Sequence, residues 1–197
     1  VDLNYRTNIL FSIPTHQFDV NGFSEIQNEL IDYVYKMRAE DSVGQTISNN
    51  GGWQSKNFNI NNEADPLHKF LIDSISSFPV IKKGVNFVID AWANINKPGD
   101  YNVKHDHPTA NLSGVLWIKC PKNCGNIVFE NPTSFQSFNE INSYTNDFKD
   151  LYAQYFSYWF LPTEGRILIF PAYLRHSVEE NKSDEDRISV SFNLRLQ

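Results

Sequence analysis

The sequence predicts a mainly β fold with supporting helices, its strands curled into a jelly roll and its N-terminal helices packed on one sheet. Three observations lead there. Helical periodicity is confined to the N-terminal part of the chain. From residue 85 the pattern changes to a period of two, the repeat of a pleated strand. Aromatic residues make up 14% of the chain, a content that favours strands with deep side-chain packing.

Taken in order, Ile26, Leu30, Ile31, Val34 and Met37 recur at three- and four-residue spacing, which predicts an amphipathic helix over 23–39 capped by Asn21 or Ser24. The stretch Ser48-Asn49-Asn50-Gly51-Gly52-Trp53-Gln54-Ser55 reads as a glycine turn with a packed loop tryptophan. A second helix opens at Asp65-Pro66, carries Leu67, Phe70, Leu71 and Ile75 on one stripe, and should end near Phe78-Pro79. The first clear strand follows: Val88, Asp90, Trp92 and Asn94 alternate with Phe87, Ile89, Ala91, Ala93 and Ile95. Further strands are expected over 112–119, 126–130, 166–170, 177–180 and 188–196, separated by turns rich in Gly, Pro and Asn.

The last of these says most. Ile188, Val190, Phe192, Leu194 and Leu196 fill one face, while Arg187, Ser189, Ser191, Asn193 and Arg195 fill the other. If the apolar face meets the helices, the polar face looks into a lumen, with Asp90, Trp92 and Asn94 as a second wall. A polar lumen implies a ligand cavity. Residues 133–160, with ten aromatics scattered among Ser, Asn and Asp, read as a long insertion over one end of the barrel, either a substrate lid or a cover for the sheet.

At 197 residues the chain has the length of one domain, with residues 1–84 as helical support and 85–197 as the β core. The charge of -6 and the pI near 5.3 argue against attachment to nucleic acid by phosphate neutralisation. No apolar run reaches the roughly 18–20 residues that span a bilayer, and residues 1–11 lack the basic and apolar regions of a secretion signal. The expectation is a soluble, cytoplasmic protein, with a homodimer left open. Cys120 and Cys124, four apart around a turn, read as two reduced thiols, with a turn-closing disulfide as the next option.

Only five histidines are present, so their placement is informative. His105 and His107 stand two apart, and on a strand they share a face from which both can reach one metal ion, while Asp106 points away. His176 can supply a third ligand from another strand. Imidazole suits Fe, Zn, Cu and Ni alike, so the residues leave the metal open, with a pair of surface histidines in a turn before Pro108 as the lesser alternative. Arg187 offers a bidentate fork for a carboxylate and Ser189, on the same face, a further hydrogen bond, although an ordinary ion pair would also use an arginine.

The ordered set His105-Asp106-His107, His176 and Arg187-Ile188-Ser189 resembles the Fe(II)/2-oxoglutarate-dependent oxygenase superfamily. The likeness extends to small oxygenases of phages and marine bacteria, in 48–55, 105–108 with 112–115, 165–171 and 187–193. It implies a double-stranded β-helix, the cupin-like form of the jelly roll. It also implies Fe(II), 2-oxoglutarate and O2 as cofactor and cosubstrates, and hydroxylation of a substrate with release of succinate and CO2. His105 and His176 would be iron ligands, Arg187 would meet the distal carboxylate of 2-oxoglutarate, and Ser189 would assist. The departure is His107, where the superfamily usually has Asp or Glu; Asp106 could take that place only on an irregular strand. Asn94, Tyr101 and Trp117 are candidates for further cavity contacts, Asn94 on the cosubstrate side.

Two other classes fit the same residues: a cupin-like three-histidine metalloenzyme that uses no 2-oxoacid, and a non-catalytic jelly-roll binding module. The substrate stays unidentified, with a peptide or small molecule favoured over nucleic acid; a phage-encoded chain would act in the host-cell cytoplasm.

Overall fold

The computed structural model describes residues 6, 12–58, 66–133, 143–151 and 155–197. In chain order these hold β1 (His16–Asp19), α1 (Phe23–Glu40), β2 (Asn49–Asn50), β3 (Trp53–Gln54), α2 (Pro66–Ser76), β4 (Phe87–Asn96), β5 (Tyr101–His105), β6 (Leu112–Lys119) and β7 (Ile127–Glu130). Then follow α3 (Asn146–Leu151), β8 (Ser157–Phe160), β9 (Arg166–Pro171), β10 (His176–Val178) and β11 (Arg187–Leu196). The strands form a six-stranded sheet ordered β1-β9-β6-β11-β4-β3 and a five-stranded sheet ordered β2-β5-β10-β7-β8. Two antiparallel sheets whose neighbours alternate across the layers make a double-stranded β-helix.

The six-stranded sheet is the structural wall. β4 and β11 pair along their whole length, from Arg187 opposite Asn96 to Leu196 opposite Phe87. Strand parity then sends Ile188, Val190, Phe192 and Leu194 to one side, joined by Ala91, Ala93 and Ile95, all of them fully buried. Leu30 and Val34 of α1 and Leu67, Leu71 and Ile75 of α2 close this core from outside. The four-residue spacing of each set presents one apolar stripe to the sheet. β6, buried along nearly its whole length, lies between β9 and β11 and feeds both sides: Leu116 and Ile118 to the helices, Val115 and Trp117 to the interior. Its register against β11 slips beside Ile118, and the Ile118 carbonyl accepts a hydrogen bond from Gln27 Nε2 of α1 at 2.9 Å.

A second, smaller core of Val115, Trp117, Ile127, Phe129, Leu168, Phe170 and Leu174 lies on the other face of this sheet, against β7 of the five-stranded sheet. The barrel interior is thus partly apolar, with the polar cavity filling the rest.

Several sequence expectations need correction. α1 is capped by neither Asn21 nor Ser24: the chain enters through Gly22 in the left-handed conformation, φ 75°, with no side-chain cap, so Ser24 already lies in the first turn. α2 stops at Ser76, and a tighter turn follows in which Phe78 N–H donates to Ile75 O at 3.0 Å. Its expected cap, Asp65, lies outside the described residues.

The stretch 133–160 is not insertion throughout. Its end is β8, paired antiparallel with β7 from Ile127↔Phe160 to Glu130↔Ser157, and α3 precedes it. Aromatic-rich 157–160 lacks the alternation that marks a half-buried strand because it is an edge with most of its side chains exposed. Phe135, Phe138 and Tyr152 of that stretch lie outside the described residues. The glycine turn at 48–55 contributes β2 and β3, one to each sheet, with Trp53 buried and its Nε1 donating to Asp41 O at 2.7 Å. Among the described residues no helix is long and apolar enough to cross a membrane.

Candidate active site

The interior opens into a cavity walled by the polar faces of β4 and β11 on one side and by β5 and β10 on the other. His105 ends β5 and His176 begins β10, and the antiparallel register sets them directly opposite each other. Their rings stand 4.4 Å apart between centroids. His107 lies two residues past the end of β5, not on a strand as parity reasoning assumed. Its backbone N–H donates to Ala172 O at 2.9 Å, which carries the chain on beside the loop before β10 and turns the ring inward. It packs 5.0 Å from His105 and 5.3 Å from His176. One ring nitrogen from each of the three lies within 4.8 Å of the others, while Asp106 is exposed.

Local carbonyls set the tautomers of two of these rings. His105 Nδ1 lies 2.8 Å from Val103 O and His176 Nδ1 lies 2.9 Å from Leu174 O. Each Nδ1 must therefore carry the proton, which leaves Nε2 with a free lone pair for a metal ion. Burial holds all three imidazoles in the neutral, ligating form. It lowers the pKa of His105, pushes His107 down to about 4 with help from His105, and pushes His176 down to about 3. Three neutral nitrogen donors on one side of a cavity fit a divalent metal with positions left open.

Across the cavity, β11 presents Arg187, Ser189 and Ser191. Arg187 is 3% exposed, and among the described residues it has no ion pair. Its Nη1 donates to Cys124 O at 3.3 Å and its Nη2 to Asn96 Oδ1 at 2.8 Å. Its Nε is the one buried side-chain nitrogen or oxygen without a partner among the described residues. An orphaned buried donor on a cation costs free energy unless an acceptor arrives, and a carboxylate matches its charge and geometry. Burial draws the Arg187 pKa below the ordinary guanidinium value, opposed by Cys124, Cys120 and Asp100.

Of the other residues expected in the cavity, Asn94 lines it, opposite Ser189 in the ladder and donating from Nδ2 to Ser191 Oγ at 3.1 Å. Trp117 lines it too, almost fully buried. Tyr101 does not: it is exposed. The reason is a β-bulge. His176 pairs with His105 but Val178 pairs with Asn102, so β5 holds one residue more than β10 over the same span. Parity inverts across the bulge, and Asn102 faces the cavity in place of Tyr101. Asn102 escapes sequence reasoning for that reason, because nothing in the alternation marks a bulge; Ser48, which also lines the cavity, comes from the loop before β2, where no periodicity points to it. Both cysteines are free, and Cys124 is buried. A hydrogen bond from Cys120 lowers the Cys124 thiol to about 7, while the same contact raises that of Cys120.

Fold and site together fit a jelly-roll protein able to hold a metal ion, and comparison narrows the class. The profile of the family described as "Putative 2OG-Fe(II) oxygenase" matches residues 90–193, more than half the chain. The chain belongs to the 2OG-Fe(II) oxygenase family, whose enzymes use Fe(II) and 2-oxoglutarate. Among solved structures it is similar to a Pseudomonas putida prolyl-4-hydroxylase, with TM-score 0.64 and 13% identity over 93% of each chain. It is similar also to a viral collagen prolyl hydroxylase of Paramecium Bursaria Chlorella virus-1 in complex with 2OG, with TM-score 0.55 and 16% identity over 91% of this chain and 94% of that one. A third likeness is to a Trichoplax adhaerens prolyl hydroxylase in complex with a hypoxia inducible factor peptide fragment, with TM-score 0.63 and 11% identity over 92% and 83%. At such identities these structures speak for the fold. A search of curated protein sequences finds no match.

Proposed function

We propose that this chain is a dioxygenase that hydroxylates a peptide or small molecule, with His105, His107 and His176 holding Fe(II) and Arg187 anchoring the distal carboxylate of 2-oxoglutarate. The observation that carries the reading is a pairing across one cavity. Three imidazoles whose nitrogens converge, that of His176 buried and those of His105 and His107 half-buried, face a strand that offers a buried guanidinium with an unused Nε. One end of a small 2-oxoacid needs a metal and the other needs a cation, and no other pair of features in the described cavity supplies both.

Bound Fe(II) would supply the redox chemistry that couples oxidative decarboxylation of the cosubstrate to O2 activation. The chain's own residues position and insulate. The Val103 and Leu174 carbonyls hold two imidazoles in one tautomer and orientation, so that little reorganisation accompanies metal loading. Arg187 takes the far carboxylate with Nε, and Ser189, next along the same face of β11, adds a hydroxyl donor. Asn94 stands opposite Ser189 and bounds the cosubstrate's flank. Trp117, Phe170 and Ile127 wall the inner end and exclude water from the reacting atoms. Trp92, half-buried 5.8 Å from the His107 ring, borders the mouth where a substrate would enter.

The test is anaerobic titration of the Fe(II)-loaded protein with 2-oxoglutarate, followed by air and measurement of succinate. A metal-to-ligand charge-transfer band and succinate formation are expected. Iron binding with no such band would overturn the 2-oxoglutarate reading in favour of a three-histidine metalloenzyme of the cupin kind. Failure to retain iron would leave a plain jelly-roll binding module.

A further inference from the structure

Arg187 is a buried cation held by uncharged groups, and the way one of those groups is itself held has a functional consequence. Asn96 ends β4 directly opposite Arg187 in the ladder and is 2% exposed. Its Oδ1 accepts the Arg187 Nη2 hydrogen bond at 2.8 Å, its Nδ2 donates to Asn102 Oδ1 at 3.4 Å, and Asn102 Nδ2 donates on to Ser48 Oγ at 3.1 Å. From the opposite side, the Asn96 carbonyl accepts Asn181 Nδ2 at 2.9 Å. Gly52 closes over the amide: a Cβ there would stand 3.2 Å from Asn96 Nδ2, and its φ of +57° suits glycine. With Nδ2 committed to Asn102, the amide can turn only its oxygen toward the guanidinium. The glycine loop and the bulged strand β5 thus meet behind one side chain.

We propose that Asn96 is a positioning residue for the 2-oxoacid anchor: its braced, neutral amide fixes the Arg187 guanidinium while leaving the positive charge for a cosubstrate carboxylate. This rests on the reading of Arg187 given above. An aspartate at the same place would be isosteric and would bind the guanidinium more strongly, and that is why it would fail. It would satisfy the buried cation internally, and an incoming dicarboxylate would have to displace it. A neutral amide supplies direction without compensation. The anchor is thereby tuned to 2-oxoacids that carry a second carboxylate.

Anaerobic Fe(II)-loaded wild type, Asn96→Asp and Asn96→Ala are titrated with 2-oxoglutarate and, separately, with pyruvate, which lacks the distal carboxylate; charge-transfer absorbance is the readout. Asn96→Asp is expected to weaken 2-oxoglutarate by about tenfold or more, with pyruvate affinity and iron retention within about twofold of wild type. Asn96→Ala, which loses direction but adds no charge, should show a smaller selective loss, and it decides the matter if Asn96→Asp does not fold. Undiminished 2-oxoglutarate affinity in the variants overturns the proposal. So does an equal loss for both ligands, because that marks general damage to the site. If wild type itself gives no band with 2-oxoglutarate, the anchor reading falls and the role of Asn96 with it; a band in wild type and an unaffected variant removes the role of Asn96 alone.

Discussion

Replacing Arg187 by methionine separates the cost of a buried charge from its use. Arg187 makes two hydrogen bonds to neutral acceptors, Cys124 O and Asn96 Oδ1, and leaves Nε unpaired. Methionine has similar reach and no charge, and it strands both acceptors at about 1–3 kcal/mol each. Against this, it removes the desolvation of an unpaired buried cation, which costs several kcal/mol. The two effects nearly cancel, so the metal-free variant should melt within about 4 °C of wild type. Binding of 2-oxoglutarate is a different matter. Truncating one partner of a desolvated charge pair costs about 3–5 kcal/mol, so the dissociation constant should rise by about 10²-fold to several times 10³-fold. Calorimetry in the presence of Fe(II) without oxygen measures it, and thermal melting measures the first quantity. A variant that keeps iron and binds 2-oxoglutarate within about threefold of wild type would refute the assignment of Arg187.

The remaining predictions concern the metal end, acid stability and the core. His107→Ala should lose most of its Fe(II) affinity while Asp106→Ala, altering an exposed side chain, should keep it; equilibrium dialysis distinguishes them, and the reverse ranking would make Asp106 the third ligand. For the metal-free protein, the folded-state pKa values of His107, about 4, and His176, about 3, lie below the unfolded value of about 6.5. The unfolded chain then takes up protons that the folded chain refuses, so stability is greatest above pH 6.5. It should fall as pH drops toward 4, by as much as about 1.4 kcal/mol per pH unit for each imidazole. Urea titrations at pH 7.5 and 5 check this, and equal stabilities would contradict the lowered pKa values of His107 and His176. Phe192→Ala should cost about 3–5 kcal/mol in a denaturant melt, because the ring is fully buried and fills the space over Gly114, where a Cβ would approach to 2.3 Å.

What the sequence decides by itself is everything that depends on local period. The alternation in 87–96 and 187–196 sets which residues face the helices and which face the cavity, since strand parity has no freedom once both ends are paired. Hence the helical stripes, the polar lumen, Arg187, Ser189 and Asn94 are all legible from residue order. Tertiary structure decides where that parity breaks. The bulge in β5 exchanges Tyr101 for Asn102, and a single inserted residue of this kind carries no compositional mark. His107 is brought beside His176 by a backbone bond to Ala172, a contact made across 65 positions that strand periodicity cannot express. The brace on Arg187 draws Ser48, Gly52, Asn96 and Asn102 from three separate segments. Pairing between distant strands, which residue order constrains only weakly, is what turns a legible set of candidate residues into a cavity with one geometry.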